Sequence, residues 1–248
     1  MRHVFATMGT VATIDPGTQP SPATVLAEIE GAFNEIEDVF SLYRPDSELS
    51  RVADGRLSLL EASPQLRGVY ADSLFWRNAT NDAFTPHRPD GVLDLNGIVK
   101  AIAIERAGSL LDLAGSSDWC VNVGGDILCR GSQSDGGPWT LGIVDPDDAG
   151  ALLCSIVLAG GRRAVATSGS AERGDHIWRD GRRAEPSFLQ VTVVADDIVT
   201  ADVLATAIVS GGRTALDDAT ERWSIDVLAI SEDRSMQATA GFRAALAA

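Results

Sequence analysis

Val121-Asn122-Val123-Gly124-Gly125-Asp126-Ile127 marks the point where the chain changes its period. An apolar run from Cys120 to Val123 reads as a strand that ends in a double glycine and an acid. Downstream the same alternating pattern recurs at Thr140–Val144, Leu152–Leu158, Arg163–Thr167, Phe188–Val194 and Asp226–Ile230, separated by Gly, Asp and Pro clusters. Upstream the period is helical. Ser21-Pro22 reads as an N-cap followed by a first-turn proline, ahead of Val25, Ile29, Phe33, Ile36 and Phe40. Ser63-Pro64 opens a second helix with Leu66, Tyr70 and Leu74 on one face, and a third runs from near Gly97 to Leu113. A further helix is expected from about Thr200 to Ser210, stopped by Gly211-Gly212. Two short strands, Val4–Phe5 and Val11–Ile14, flank Met8-Gly9-Thr10 at the start. Helices cluster first and strands second, without regular interleaving. This order predicts an α+β fold with a largely antiparallel sheet and flanking helices.

The 248 residues form one domain over 1–248 or two intimately packed lobes. With 45% hydrophobic and 22% charged residues, the composition is that of a globular chain with a substantial core. The balance of 35 Asp+Glu against 20 Lys+Arg, a net charge of −15, argues against nucleic acid or an anionic membrane as partner, since both need a basic footprint. No stretch approaches the roughly 20 apolar residues of a membrane span, and residues 1–15 lack a secretory signal pattern. A cytoplasmic location is expected. Cys120, Cys129 and Cys154 have no metal-binding spacing and sit among apolar neighbours, as reduced thiols buried in strands would.

Four segments carry chemistry. Asp202 and Thr206 are four apart on a helix, so their oxygens lie one turn from each other. That suits a hard cation such as Mg²⁺; an ordinary helix charge and a half-buried threonine account for it as well. Gly124-Gly125 allows close backbone approach to a ligand, or simply a tight turn. Asp94-Leu95-Asn96-Gly97-Ile98-Val99-Lys100 places an acid before and a cation after a helix start, where phosphates bind readily. Lys100 is the only lysine in the chain. His176 follows Thr167-Ser168-Gly169-Ser170 closely and is either a structural histidine or a general base for a hydroxyl.

Taken in order, Met8-Gly9-Thr10, Phe40–Arg51, Asp94–Lys100, Asn122–Ile127, Trp139 with Gly142-Ile143 and Asp145-Pro146, Ala166–Gly169, His176-Ile177 and Ala201–Ala207 resemble the ApbE-type flavin transferases (FAD:protein FMN transferases). The resemblance implies a bilobed, T-fold-like architecture with FAD in a cleft. It implies Mg²⁺-dependent transfer of the FMN moiety of FAD to a Thr or Ser hydroxyl of an acceptor flavoprotein, with release of AMP. It further implies Asp202, Thr206 and the Gly97 carbonyl as metal ligands. Met8, Tyr43, Ala83, Phe84, Thr85, Asp94, Lys100 and Ile177 would contact the flavin nucleotide, and His176 with Asp202 would be catalytic. A FAD pyrophosphatase yielding FMN and AMP, and a FAD-binding protein without turnover, are the alternative readings.

Overall fold

The computed structural model describes residues 2–169 and 188–247; His176 and Ile177 lie outside them. The described elements run in order as β1 (His3–Thr7), β2 (Thr10–Asp15), α1 (Ala23–Phe40), α2 (Glu48–Ala53), α3 (Pro64–Ala79), α4 (Asn96–Leu113), β3 (Trp119–Val123), β4 (Asp126–Arg130), β5 (Thr140–Asp145), β6 (Asp148–Val157), β7 (Ala164–Gly169), β8 (Phe188–Ala195), α5 (Ile198–Arg222), β9 (Asp226–Ser231), β10 (Met236–Ala238) and α6 (Ala240–Ala244). Eight strands form one sheet in the order β1-β2-β3-β4-β7-β8-β9-β10, and β5-β6 is a separate hairpin. Every neighbouring pair is antiparallel. The α+β expectation holds.

Period-two alternation sorts each strand between two cores. In β3, Trp119, Val121 and Val123 join Phe33, Ile36, Ile98, Ile104, Leu204 and Ile208 in the core between the sheet and α1, α4 and α5. Their neighbour Cys120 points to the opposite face, where Cys129, Val165 and Val194 pack against Trp139, Leu141, Ile143 and Ile156 of the hairpin and Phe242 of α6. The sheet is therefore covered on both sides, which explains why β7 and β8 are apolar or small along almost their full length. All three cysteines are free, two of them buried in strands.

Two details of the sequence reading are corrected. The N-cap of α1 is Pro22 and no side chain caps it, so Ser21 does not play that part; Ser63 does cap α3, accepting from the Leu66 N–H. Nor does Gly211-Gly212 stop α5. Gly212 adopts φ 66°, ψ −147°, which kinks the helix, and the chain resumes helical geometry to Arg222. A glycine permits this left-handed step at little cost, so the pair acts as a bend and not a terminus. Leu216 and Ala219, buried beyond the kink, hold the second half in place. Sequence periodicity also passes over β4, β10, α2 and α6, all of six residues or fewer. None of the described helices is long and apolar enough to cross a membrane.

Candidate active-site cleft

Two tight hairpin turns meet at one end of the sheet. Met8-Gly9 joins β1 to β2 with φ of 50° and 71°, and Gly124-Gly125 joins β3 to β4 with φ of 57° and 92°. Both are two-residue turns with positive φ at each central position, the form whose twist matches antiparallel strands. Met8 adopts it without being glycine. Its backbone N–H donates to Glu37 Oε1 at 2.9 Å, which ties the turn to the end of α1. Gly124 sits against Thr10, whose Oγ1 would lie 2.8 Å from any Cβ built there. The double glycine is thus both a turn and a close approach.

Around these turns lies a cleft of about 940 Å³. One wall is the end of α1 with the segment after it. Ser47 caps α2 by accepting from the Ser50 N–H, while the Ser47 and Ser50 hydroxyls both donate to the Ser41 carbonyl, at 2.5 and 3.0 Å. These serines pin the loop that presents Tyr43, 76% exposed, and Arg44. Arg44 is held by Glu37 at 2.6 Å and Asp38 at 2.5 Å. The opposite wall is the 83–85 turn and the first turns of α4. Phe84 packs on Gly97 so closely that a Cβ there would lie 2.9 Å from the ring, which explains a glycine at that helix position. The Asp94 N–H donates to the Pro86 carbonyl at 2.8 Å, and its Oδ1 accepts from the Asn96 N–H at 2.9 Å at the start of α4. The floor comprises Ser168 and Gly169 at the end of β7 with Thr206 and Ser210 of α5. Ser168 Oγ and Thr206 Oγ1 are hydrogen-bonded at 3.2 Å.

Met8, Tyr43, Ala83, Phe84, Thr85, Asp94, Gly97, Lys100 and Thr206, scattered over two hundred residues, therefore line one cleft. Asp202 lies one turn from Thr206 on α5 and is wholly buried. Among the described residues no group of three His, Cys, Asp or Glu side chains could hold a metal ion. The donor set expected here, Asp202, the Thr206 hydroxyl and the Gly97 carbonyl, is one carboxylate, one hydroxyl and one backbone carbonyl. That all-oxygen set fits Mg²⁺, which keeps much of its shell for waters and phosphates, and does not fit zinc. Glu37, Ser168 and Asp126 are functional candidates that sequence reading did not single out. Glu37 stands beside a second acid, Asp38, between Ile36 and Phe40, so nothing local sets it apart.

The loop from Pro86 to Asp94 carries a titratable group. His87 Nε2 and the Tyr70 hydroxyl are hydrogen-bonded at 3.1 Å. Burial first, and then the Arg77 charge, push the imidazole below its ordinary value of 6.5. The unfolded chain therefore binds a proton that the folded one resists. Its contribution to stability is present above pH 6.5 and is lost as pH falls from there through the folded value. The thermal midpoint of His87→Phe is expected to fall less than that of the wild type between pH 7 and 5. Parallel curves would show that His87 does not report on this loop.

The sequence model of the ApbE family matches residues 8–89 and 86–229. A FAD:protein FMN transferase of Vibrio cholerae is 27% identical over 268 residues, covering 84% of this chain and 80% of that protein. The FAD:protein FMN transferase of Escherichia coli K12 is 27% identical over 155 residues, 58% of this chain and 44% of its own length. Among solved structures, the flavin transferase ApbE of V. cholerae superposes with a TM-score of 0.79 at 26% identity over 99% of both chains. An ApbE protein of Thermotoga maritima gives 0.83 at 20% identity over 100% of this chain and 99% of that one. With the family model matched over residues 8–89 and 86–229 and the solved flavin transferase superposing on the chain, this chain belongs to the ApbE family.

Proposed function

We propose that this chain transfers the FMN moiety of FAD to a Thr or Ser hydroxyl of an acceptor protein, releasing AMP. The observation that carries this reading is the cleft itself: it gathers residues of six separate sequence blocks around the N-terminal turns of α4, with room for a dinucleotide. Met8 and Tyr43 offer a thioether and a ring to the flat parts of FAD. Asp94 and the 83–85 turn supply polar contacts to the nucleotide. Lys100 meets the pyrophosphate.

In this mechanism the acceptor hydroxyl forms a bond to the FMN phosphorus while the phosphorus–oxygen bond to AMP breaks. His176 accepts the hydroxyl proton. Phosphoryl transfer depends on positioning and charge neutralisation more than on covalent chemistry. Asp202, the Thr206 hydroxyl and the Gly97 carbonyl would hold Mg²⁺, which when bound offsets the charge of the pyrophosphate. Ser168 orients the Thr206 hydroxyl through the hydrogen bond between them. In a chain of net charge −15 an anionic substrate needs such a counter-charge, so FAD binding should weaken sharply without Mg²⁺.

The test is an incubation of the protein with FAD, Mg²⁺ and a threonine-bearing acceptor, following AMP and covalently attached flavin together. Transfer gives both. AMP with free FMN and no labelled acceptor would identify a pyrophosphatase, and retained FAD without AMP a binding protein. His176→Ala is expected to lower transfer by roughly 10²–10⁴-fold while FAD binding survives. Equal loss of binding and transfer would mark the histidine as structural.

A further inference from the structure

The only lysine of the chain is not a solvated surface charge. Lys100 lines the cleft from the second turn of α4, with its side chain 12% exposed, and its ammonium is paired with Asp126, whose side chain is 0% exposed. No other ion pair between described residues is so well shielded. Asp126 itself is anchored, because its Oδ1 accepts from the Thr167 N–H at 3.1 Å, across from β4 to β7. Asp126 also begins β4 directly after Gly124-Gly125, so the tight turn sets where its carboxylate stands. By strand alternation it shares the helix-facing side with Leu128.

Removing two charges from water is costly, and such a pair is weak as a device for stability. A core position at the start of β4 would be filled more cheaply by an apolar residue. The pair makes sense if the ammonium has to stand at a fixed point of the cleft. Among the described residues Arg44 is the other basic side chain in the cleft wall, and it too is held by acids, Glu37 and Asp38. Lys100 has three N–H donors, so one can remain on Asp126 while others turn to a substrate oxygen.

We propose that Asp126 is a positioning residue that holds the Lys100 ammonium in place for the pyrophosphate of the substrate and balances its charge while the cleft is empty. The inference rests on the reading that a pyrophosphate-bearing nucleotide binds here. Asp126→Asn keeps the side-chain shape and an oxygen for the Thr167 N–H, and removes the charge that tethers Lys100.

Two measurements test it. The first needs no turnover. Since Lys100 and the terminal amine are the only amines of the chain, limited acetylation with acetic anhydride, read by peptide mass spectrometry, follows Lys100 against an internal reference. Lys100 should react about tenfold faster in Asp126→Asn than in the wild type, the terminal amine being unchanged. The second is AMP release from FAD in Asp126→Asn, Lys100→Met and the double variant. Asp126→Asn should lower kcat roughly 10–100-fold with KM for FAD within about twofold, and the double variant should be no slower than Lys100→Met alone. The double variant removes both members of the pair, so it serves if Asp126→Asn alone folds poorly. Equal acetylation rates in the two proteins, or a double variant as slow as the product of the single effects, would overturn the proposal. If the wild type releases no AMP from FAD, the functional reading fails, while the acetylation rates still decide whether Asp126 holds Lys100.

Discussion

Asp202→Ala is expected to lower the proposed Mg²⁺-dependent turnover of FAD by roughly 10³-fold or more, because a divalent cation at a phosphoryl-transfer site accounts for several kcal/mol and each 1.36 kcal/mol is about a decade in rate. Asp202 is the only carboxylate of the proposed donor set and is 0% exposed on α5, one turn from the Thr206 hydroxyl of the cleft floor. Alanine leaves the helix intact, since it is the best helix former. The circular dichroism spectrum should therefore stay that of the wild type while activity disappears, and added Mg²⁺ should not restore it. Asp202→Asn tests the charge alone and should lose nearly as much, since the amide offers the metal only a neutral oxygen. A rate within a few-fold of wild type in either variant would remove Asp202 from the metal site.

Trp119→Ala is expected to destabilise the fold by about 3–5 kcal/mol, the usual cost of truncating a large buried aromatic. In a chain of this length that lowers the thermal midpoint on the order of 10 °C. Trp119 is 0% exposed at the start of β3 and faces the helical layer. Its Nε1 donates to Asp112 Oδ1 at 2.8 Å, and the Arg163 guanidinium lies 5.8 Å above its ring. The ring also fills the space over Gly108, where a Cβ would come within 2.5 Å of it. Glycine and tryptophan are thus matched across the α4–β3 contact, and alanine at 119 leaves a void that Gly108 cannot fill. Because the N-terminal end of α4 carries Gly97 and Lys100 into the cleft, weaker FAD binding should accompany the lower midpoint. A loss below about 1 kcal/mol in denaturant titration would show that α4 is held by its other contacts, with Phe33, Ile36 and α5.

Much of the architecture was legible from periodicity. The helix from Asn96 to Leu113 and the strands from Phe188 to Ala195 and from Asp226 to Ser231 lie within a residue or two of where pattern and punctuation place them. Four short elements, β4, β10, α2 and α6, were not, because each holds only about one to two and a half periods of its pattern. Gly211-Gly212 misled for a different reason. A double glycine permits a helix to end but does not oblige it to, and buried Leu216 and Ala219 beyond it favour continuation.

For the site, the order of motifs along the chain was enough to expect these blocks around one cleft, because each block is a local feature: a turn, a helix start, an i, i+4 pair. The sequence alone thus determined the fold class and the acidic balance of the chain, and it named Met8, Tyr43, Ala83, Phe84, Thr85, Asp94, Gly97, Lys100 and Thr206, which line the cleft together with others. What only the tertiary structure decided is how those blocks work on one another. Glu37 reaches the Met8 backbone from 29 residues away, Ser168 meets Thr206 across 38, and Asp126 closes on Lys100 from the other side of the helix–sheet interface. Such pairs leave no local signal. A carboxylate that follows a turn reads as a solvated charge until the sheet twists it against a helix, and its burial beside a lysine is a product of packing, which periodicity does not carry.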